Sequence, residues 1–186
     1  MGNLAAGSLR GVPRPRDDEA IPRSLLPAVA GIAMTKNMQK ILTHSEKQTF
    51  NLGKKLTKTF CGGEIIALNG PLGAGKTILA KGIATGLGIK KNVNSPTFVL
   101  MKIYPIRIKS RELRINNLIH IDCYRIKSAQ EIIDLGAKEY FGQPNTITVI
   151  EWAEKIKSIL PKKQIIKILI KLRSKDTREI VIKVWP

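Results

Sequence analysis

The stretch Gly70-Pro71-Leu72-Gly73-Ala74-Gly75-Lys76-Thr77 constrains this chain more than any other. It fits the pattern G-x-x-x-x-G-K-[ST] with every fixed position filled. Before it, Glu64-Ile65-Ile66-Ala67-Leu68 is a short apolar run of strand length. After it, Ile78-Leu79-Ala80-Lys81-Gly82-Ile83-Ala84 carries apolar residues at helical spacing. A glycine loop between a strand and a helix can fold back so that its N–H groups point inward at an anion. The helix N-terminus adds partial positive charge. The stretch therefore reads as a phosphate-binding loop. Gly73, Ala74, Gly75, Lys76 and Thr77 line the phosphates, Lys76 reaches the β- and γ-phosphates, and the Thr77 hydroxyl holds Mg²⁺. The expected architecture is a three-layer α/β fold of the P-loop NTPase type. Its sheet should be mostly parallel, with an antiparallel C-terminal edge.

At 186 residues, one domain over residues 34–186 is expected. No apolar run approaches the roughly 20 residues of a membrane helix, so no membrane role is expected. Cys61 and Cys123 have neither metal nor redox spacing, which fits a reduced, cytoplasmic setting. The formal net charge of +18 should attract polyanions. Heavy use of Lys, Ile and Asn after residue 34 also fits biased codon composition. Aromatic residues make up only 5%, too few to interleave a base-stacking platform with the lysines.

Residues 1–33 contain arginine but no lysine and are rich in Gly, Pro and Ala. They read as a disordered leader outside the functional domain, with Met34 and Met38 as alternative starts. Asp17-Asp18-Glu19 argues against a transit peptide. Ser45-Glu46-Lys47-Gln48 reads as a capping box opening a helix to about Phe60, with Phe50, Leu56 and Phe60 on its buried face. The helix after Lys76 should stop near Gly86-Leu87-Gly88. Pro96 bars a helix at Val93-Asn94-Ser95-Pro96-Thr97. Strands are expected at Phe98 to Tyr104, Asn117 to Asp122 and Thr146 to Ile150, and a basic loop at Arg107 to Arg114. Ala129 to Leu135 should be a short helix with Ser128 as N-cap and Gly136 as its stop. Gln164 to Leu172 and Arg178 to Val184 read as an antiparallel pair at the sheet edge.

In open α/β sheets, ligands sit at the carboxyl ends of the strands. Asp122 and Glu151 each close an apolar run there. Asp122 suits the carboxylate that holds Mg²⁺, and Glu151 suits the group that orients an attacking water. Thr97, on a rigid segment after the first helix, suits a sensor of the γ-phosphate. His120, inside a strand, reads as a core histidine. Tyr124 and Arg125 can face nucleotide or partner, and Trp152 can be core or a lid over the site. The residues alone define a Mg-dependent purine nucleotide hydrolase. A small-molecule kinase with a basic lid at Arg107 to Arg114, and a non-enzymatic nucleic-acid-binding module, remain open alternatives.

G-P-L-G-A-G-K-T, V-N-S-P-T, H-I-D-C-Y-R and V-I-E-W, in this order and at these separations, resemble the TsaE family from about His44 to the C-terminal strand pair. That family is the small bacterial P-loop ATPase of threonylcarbamoyladenosine synthesis on tRNA. The resemblance implies that Gly73 to Thr77 bind ATP and that Thr77 and Asp122 hold Mg²⁺. It also implies a role in metal binding and turnover for Glu151, with Trp152 beside it. Thr97 matches the threonine of the S-P-T motif, and Thr49 resembles a position near the nucleotide. The cofactors implied are ATP and Mg²⁺. The implied partners are the TsaB and TsaD proteins, with tRNA contacted indirectly or weakly. No N-K-x-D guanine motif is present, which favours ATP over GTP. Pro71 stands where the family commonly has Asp, making the loop stiffer and less charged.

Overall fold

The computed structural model describes residues 38–91, 93–106 and 115–184. The leader expected over residues 1–33, the alternative start at Met34 and the basic loop expected at Arg107 to Arg114 lie outside the described residues. In chain order the elements are β1 (Gln39–Thr43), α1 (Glu46–Leu56), β2 (Ile65–Asn69), α2 (Lys76–Gly86), β3 (Met101–Pro105) and β4 (Asn117–Asp122). They continue with α3 (Gln130–Asp134), β5 (Thr146–Glu151), β6 (Ile165–Leu172) and β7 (Arg178–Val184).

The strands form one seven-stranded sheet in the order β1-β7-β6-β2-β5-β4-β3. Its centre is parallel: β2 pairs with both β6 and β5, and β5 pairs with β4. Antiparallel strands flank that centre, β7 and β1 on one side and β3 on the other. The near-continuous apolar runs of β2 and β5 follow from this position, because central parallel strands are covered on both faces. Successive side chains enter opposite layers. Ile66 and Leu68 join the core under α1 and α2, together with Ile147 and Val149. Ile65, Ala67 and Ile150 join the opposite core with Ile132 of α3 and Ile156. The three-layer α/β architecture expected from the sequence is thus present.

The C-terminal antiparallel pair forms as expected, but it does not end the sheet. β1 pairs with β7 in register Gln39↔Ile182 to Thr43↔Arg178 and covers its free side. β1 had no counterpart in the sequence reading. Its five residues alternate weakly, and they sit next to a leader of different composition. The strand expected at Phe98 to Tyr104 begins only at Met101. A turn precedes it, closed by the Val99 N–H on the Pro96 carbonyl, and Leu100 takes a left-handed φ of 58°.

The capping box of α1 forms in a shifted version, its return bond falling one residue before the N-cap Ser45. Ser45 Oγ accepts from the Gln48 N–H, and Gln48 Oε1 accepts from the His44 N–H. For α3 the expected Ser128 cap is replaced: Ala129 is the N-cap residue and makes no side-chain cap bond. The Glu131 carboxylate instead accepts the N–H groups of Lys127 and Ser128, which lowers its pKa. Gly136 ends the helix as expected, with φ 71°.

Helices α1 and α2 approach at backbone distance. A Cβ on Gly82 would lie 2.1 Å from the Phe50 carbonyl oxygen, and one on Gly53 would lie 2.4 Å from the Leu79 carbonyl oxygen. This contact fixes the middle of α1 against α2, the helix that the glycine loop opens. Gly82→Ala should push the helices apart and lower stability by about 1–3 kcal/mol, the usual cost of overpacking. Chemical denaturation checks this, with the exposed Thr85→Ala as a control on the same helix.

Candidate active site

The parallel register brings the three strand ends into one row. Leu68, one residue from the end of β2, lies opposite Glu151, and Glu151 lies opposite Asp122. His120, Asp122 and Glu151 alternate in phase with Leu118, Ile147 and Val149, which places them on the α1–α2 face. The loop after β2 crosses in front of this row. Gly70, Gly73 and Gly75 adopt φ of 141°, 75° and 103°, values that a side chain resists. Ala74 between them is buried in the core and anchors the loop. Gly75 is the N-cap of α2 and offers no side-chain cap, so the first N–H groups of the helix face the loop opening.

Glu151 is held at both oxygens. Thr77 Oγ1 donates to its Oε2 at 2.8 Å, and His120 Nε2 lies 3.0 Å from its Oε1. The carboxylate is 2% exposed, so these two partners replace its water. Asp122 has a different set. Its Oδ2 accepts from the hydroxyls of Ser95 and of Thr97, the latter at 2.7 Å, and its Oδ1 accepts from the Tyr124 N–H at 2.9 Å. Asp122 therefore pins the Ser-Pro-Thr segment to the end of β4, while Glu151 faces the first turn of α2.

Lys76 Nζ donates to the carbonyls of Gly70 and Pro71 at 2.7 and 2.8 Å. It also sits 3.7 Å above the centre of the Trp152 ring, a cation–π distance. Burial lowers its pKa, and the nearby Glu151, Glu154 and Asp122 oppose that shift. Trp152 has φ 59°, and its N–H donates to the Leu68 carbonyl. This left-handed turn directly after β5 aims the indole back over the loop, where it also meets Tyr124 at 5.2 Å between ring centres.

Thr49 is fully buried, and its hydroxyl bonds to Thr43 Oγ1 and the Ser45 carbonyl. It lies against the loop, since its Cγ2 is 3.8 Å from the position of a Cβ on Gly75. The same position is 3.0 Å from Arg178 Nε. Arg178 is 4% exposed, its Nη2 is 3.7 Å from Glu46 Oε1, and its Nε has no hydrogen-bond partner among the described residues.

Sequence reasoning gave Arg178, Ser95 and His120 no site role. Arg178 did carry a signal, being in phase with Ile180 and Ile182 on the inward side of β7. Arg125 stacks on the exposed Phe98 ring at 4.4 Å rather than on the loop.

Thr77 and Glu151 offer hard oxygen donors side by side, which suits Mg²⁺. No cluster of three or more His, Cys, Asp or Glu side chains able to hold a metal occurs among the described residues. A Mg²⁺ ion here would draw its remaining ligands from phosphate and water, as Mg²⁺ commonly does.

A glycine loop joining the central strand to a buried helix, with acids on the neighbouring parallel strand ends, defines a P-loop NTPase-like α/β protein. Within that class the chain belongs to the TsaE family. The family model described as "Threonylcarbamoyl adenosine biosynthesis protein TsaE" matches residues 43–180. The chain is 33% identical over 144 residues to the tRNA threonylcarbamoyladenosine biosynthesis protein TsaE of Treponema pallidum (strain Nichols), covering 77% of this chain and 98% of that protein. It is 43% identical over 128 residues to the protein of the same name from Bacillus subtilis (strain 168), covering 68% and 73%. The crystal structure of Bacillus subtilis YdiB superposes with a TM-score of 0.64 at 32% identity, covering 83% of this chain and 90% of that one. No helix among the described residues is long and apolar enough to cross a membrane.

The division of contacts between the two acids is directly measurable. Asp122→Ala should release Ser95 and Thr97, so amide exchange across residues 95–100 should accelerate at least tenfold. Glu151→Gln should leave that segment at its wild-type rate. Hydrogen-exchange mass spectrometry checks both.

Proposed function

We propose that this chain binds and hydrolyses ATP with Mg²⁺ in support of threonylcarbamoyladenosine formation on tRNA, as a cytoplasmic protein docked on TsaB and TsaD. The observation that carries the reading is the contact between Thr77 and Glu151, made within one helical turn of Lys76. It puts the loop's hydroxyl, an ionisable strand-end acid and the loop lysine around one point.

Mg²⁺, when bound, neutralises charge on the phosphate oxygens. The chain's own groups do the rest. The loop N–H groups and the N-terminus of α2 hold the phosphates. Lys76 exchanges the carbonyls of Gly70 and Pro71 for phosphate oxygens, and Trp152 keeps its ammonium close while it does so. Thr77 and Glu151 stand on the metal side of the site. Asp122 holds Ser95 and Thr97 in place, so the hydroxyl nearest an incoming water comes from this segment. The geometry thus favours Glu151 for the metal and Asp122 with Thr97 for the water, rather than Asp122 for the metal and Glu151 for the water. Arg178, buried against Gly75 with a free Nε, supports the loop from the β7 side.

Support for partner docking comes from the rim. Leu72 and Phe98 are 71% and 83% exposed, and Val99 and Tyr124 are also exposed. These side chains flank the loop, the Ser-Pro-Thr segment and Trp152. Large apolar groups exposed together around a site mark an interaction surface.

Lys76→Ala should reduce ATP turnover by about 100-fold or more through loss of charge stabilisation, with an unchanged melting temperature. Phosphate release and differential scanning fluorimetry check this. Transfer of labelled phosphate from ATP to a nucleoside, instead of its release, would identify a kinase. Glu151→Gln should abolish the Mg²⁺-dependent gain in ATP affinity while affinity in EDTA stays at the wild-type value. Calorimetric titration with and without Mg²⁺ separates this from a role in water orientation, where kcat alone falls. Phe98→Asp should lose co-purification with TsaB and TsaD while keeping ATP affinity, and retention of both partners would remove the rim from the docking surface.

A further inference from the structure

His120 is fully buried in the middle of β4 between Ile119 and Ile121. Its Nε2 lies 3.0 Å from Glu151 Oε1, and its Nδ1 has no hydrogen-bond partner among the described residues. An ionised carboxylate only accepts hydrogen bonds, so the shared hydrogen belongs to Nε2. The opposite oxygen of Glu151 accepts from Thr77. With one donor on each oxygen, the carboxylate plane is fixed and its orientation is set jointly by β4 and α2.

Parallel register explains why a histidine can do this. His120 lies opposite Val149, one alternation before the Asp122↔Glu151 pair, and all these side chains share the α1–α2 face. A short donor at position 120 would stop beside Val149. The imidazole is long enough to carry its Nε2 forward along the strand to Glu151.

Packing alone does not account for this residue. Burying a polar atom without a partner costs roughly 1–3 kcal/mol. An aliphatic side chain on the same face as Leu118 and Val149 would avoid that cost. We propose that His120 is a positioning residue, holding Glu151 with Oε2 turned towards Thr77 so that both face the same metal-binding point. The inference rests on the metal-side reading of Glu151 and extends it to a residue that touches neither nucleotide nor metal.

The test compares His120→Gln with His120→Asn. The Gln amide places an N–H near the original Nε2, whereas the Asn amide is too short to reach Glu151. Removing an outer hydrogen-bond partner of a metal ligand typically costs about 10- to 100-fold in metal affinity or activity. His120→Asn should therefore reduce the Mg²⁺-dependent gain in ATP affinity about tenfold or more, while ATP affinity in EDTA stays unchanged. His120→Gln should recover most of that gain. Both comparisons are read on folded protein below each variant's melting temperature, so they hold even where stability differs. The proposal is overturned if Asn keeps the wild-type Mg²⁺ gain or if Gln does no better than Asn. If Glu151→Gln itself leaves the Mg²⁺ gain intact, the metal-side reading fails first. His120 and Glu151 are then a buried structural pair.

Discussion

The carboxylate of Glu151, caught between Thr77 and His120, depends on almost every large-scale feature of the fold. It needs β5 next to β2, so that the strand-end acid faces the helix that the glycine loop opens. It needs β4 on the other side of β5, in parallel and in register, so that His120 reaches it. Parallel neighbours need their connections on the sheet faces, which is why the central strands are apolar on both sides. The same burial strips water from Glu151 and makes its two donors necessary, since a buried charge without partners is strongly unfavourable. Fold and site are one constraint here.

Backbone strain gathers around this point. Apart from glycines, Leu100, Trp152 and Gln164 have positive φ among the described residues, and two of the three adjoin the site. Leu100 receives the Asp122 N–H on its carbonyl, and Trp152 follows Glu151 directly. Such conformations cost of the order of 1–3 kcal/mol each and persist only where surrounding contacts impose them. At Trp152 the imposed contacts are clear. The N–H is fixed on Leu68, and the ring lies against Lys76 and Tyr124. An extended residue at 152 would carry the indole away from the loop.

The sequence made the central architecture legible because its signals were local. The glycine loop, the apolar runs of β2, β4 and β5, the α1 capping box and the Gly136 stop are each written within a few neighbouring residues. β1 was not legible, because a five-residue edge strand draws its stability from β7, almost 140 positions away. The late start of β3 was hidden for a related reason. Phe98, Val99 and Leu100 have strand-forming side chains, but the Pro96 turn and the bond from Asp122 to Leu100 override that preference. For the candidate site, Lys76, Thr77, Asp122, Glu151, Thr97 and Trp152 stand out by motif, and the fold brings them close together. Which acid meets which hydroxyl was not readable, since it depends on strand order. His120 and Arg178 were passed over because a lone histidine in a strand and a lone arginine in an edge pair usually belong to core or surface.

The pattern of satisfied donors bears on how turnover would be controlled. Each of the four oxygens of the two acids meets a donor: Thr77 and His120 at Glu151, and the Tyr124 N–H and the hydroxyls of Ser95 and Thr97 at Asp122. Neither acid therefore presents an unengaged oxygen as a base towards the loop opening. On the proposed reading, a water oriented by Asp122 shares that carboxylate with the hydroxyls of Ser95 and Thr97, since a carboxylate oxygen can accept more than one hydrogen bond. The segment carrying those hydroxyls continues directly into Phe98 and Val99, which with Leu72 are the most exposed apolar side chains at the rim. A partner covering Phe98 would press on the same short stretch that occupies Asp122. Docking and hydrolysis would then be coupled through three residues of chain, without any larger movement of the sheet or of the α1–α2 pair.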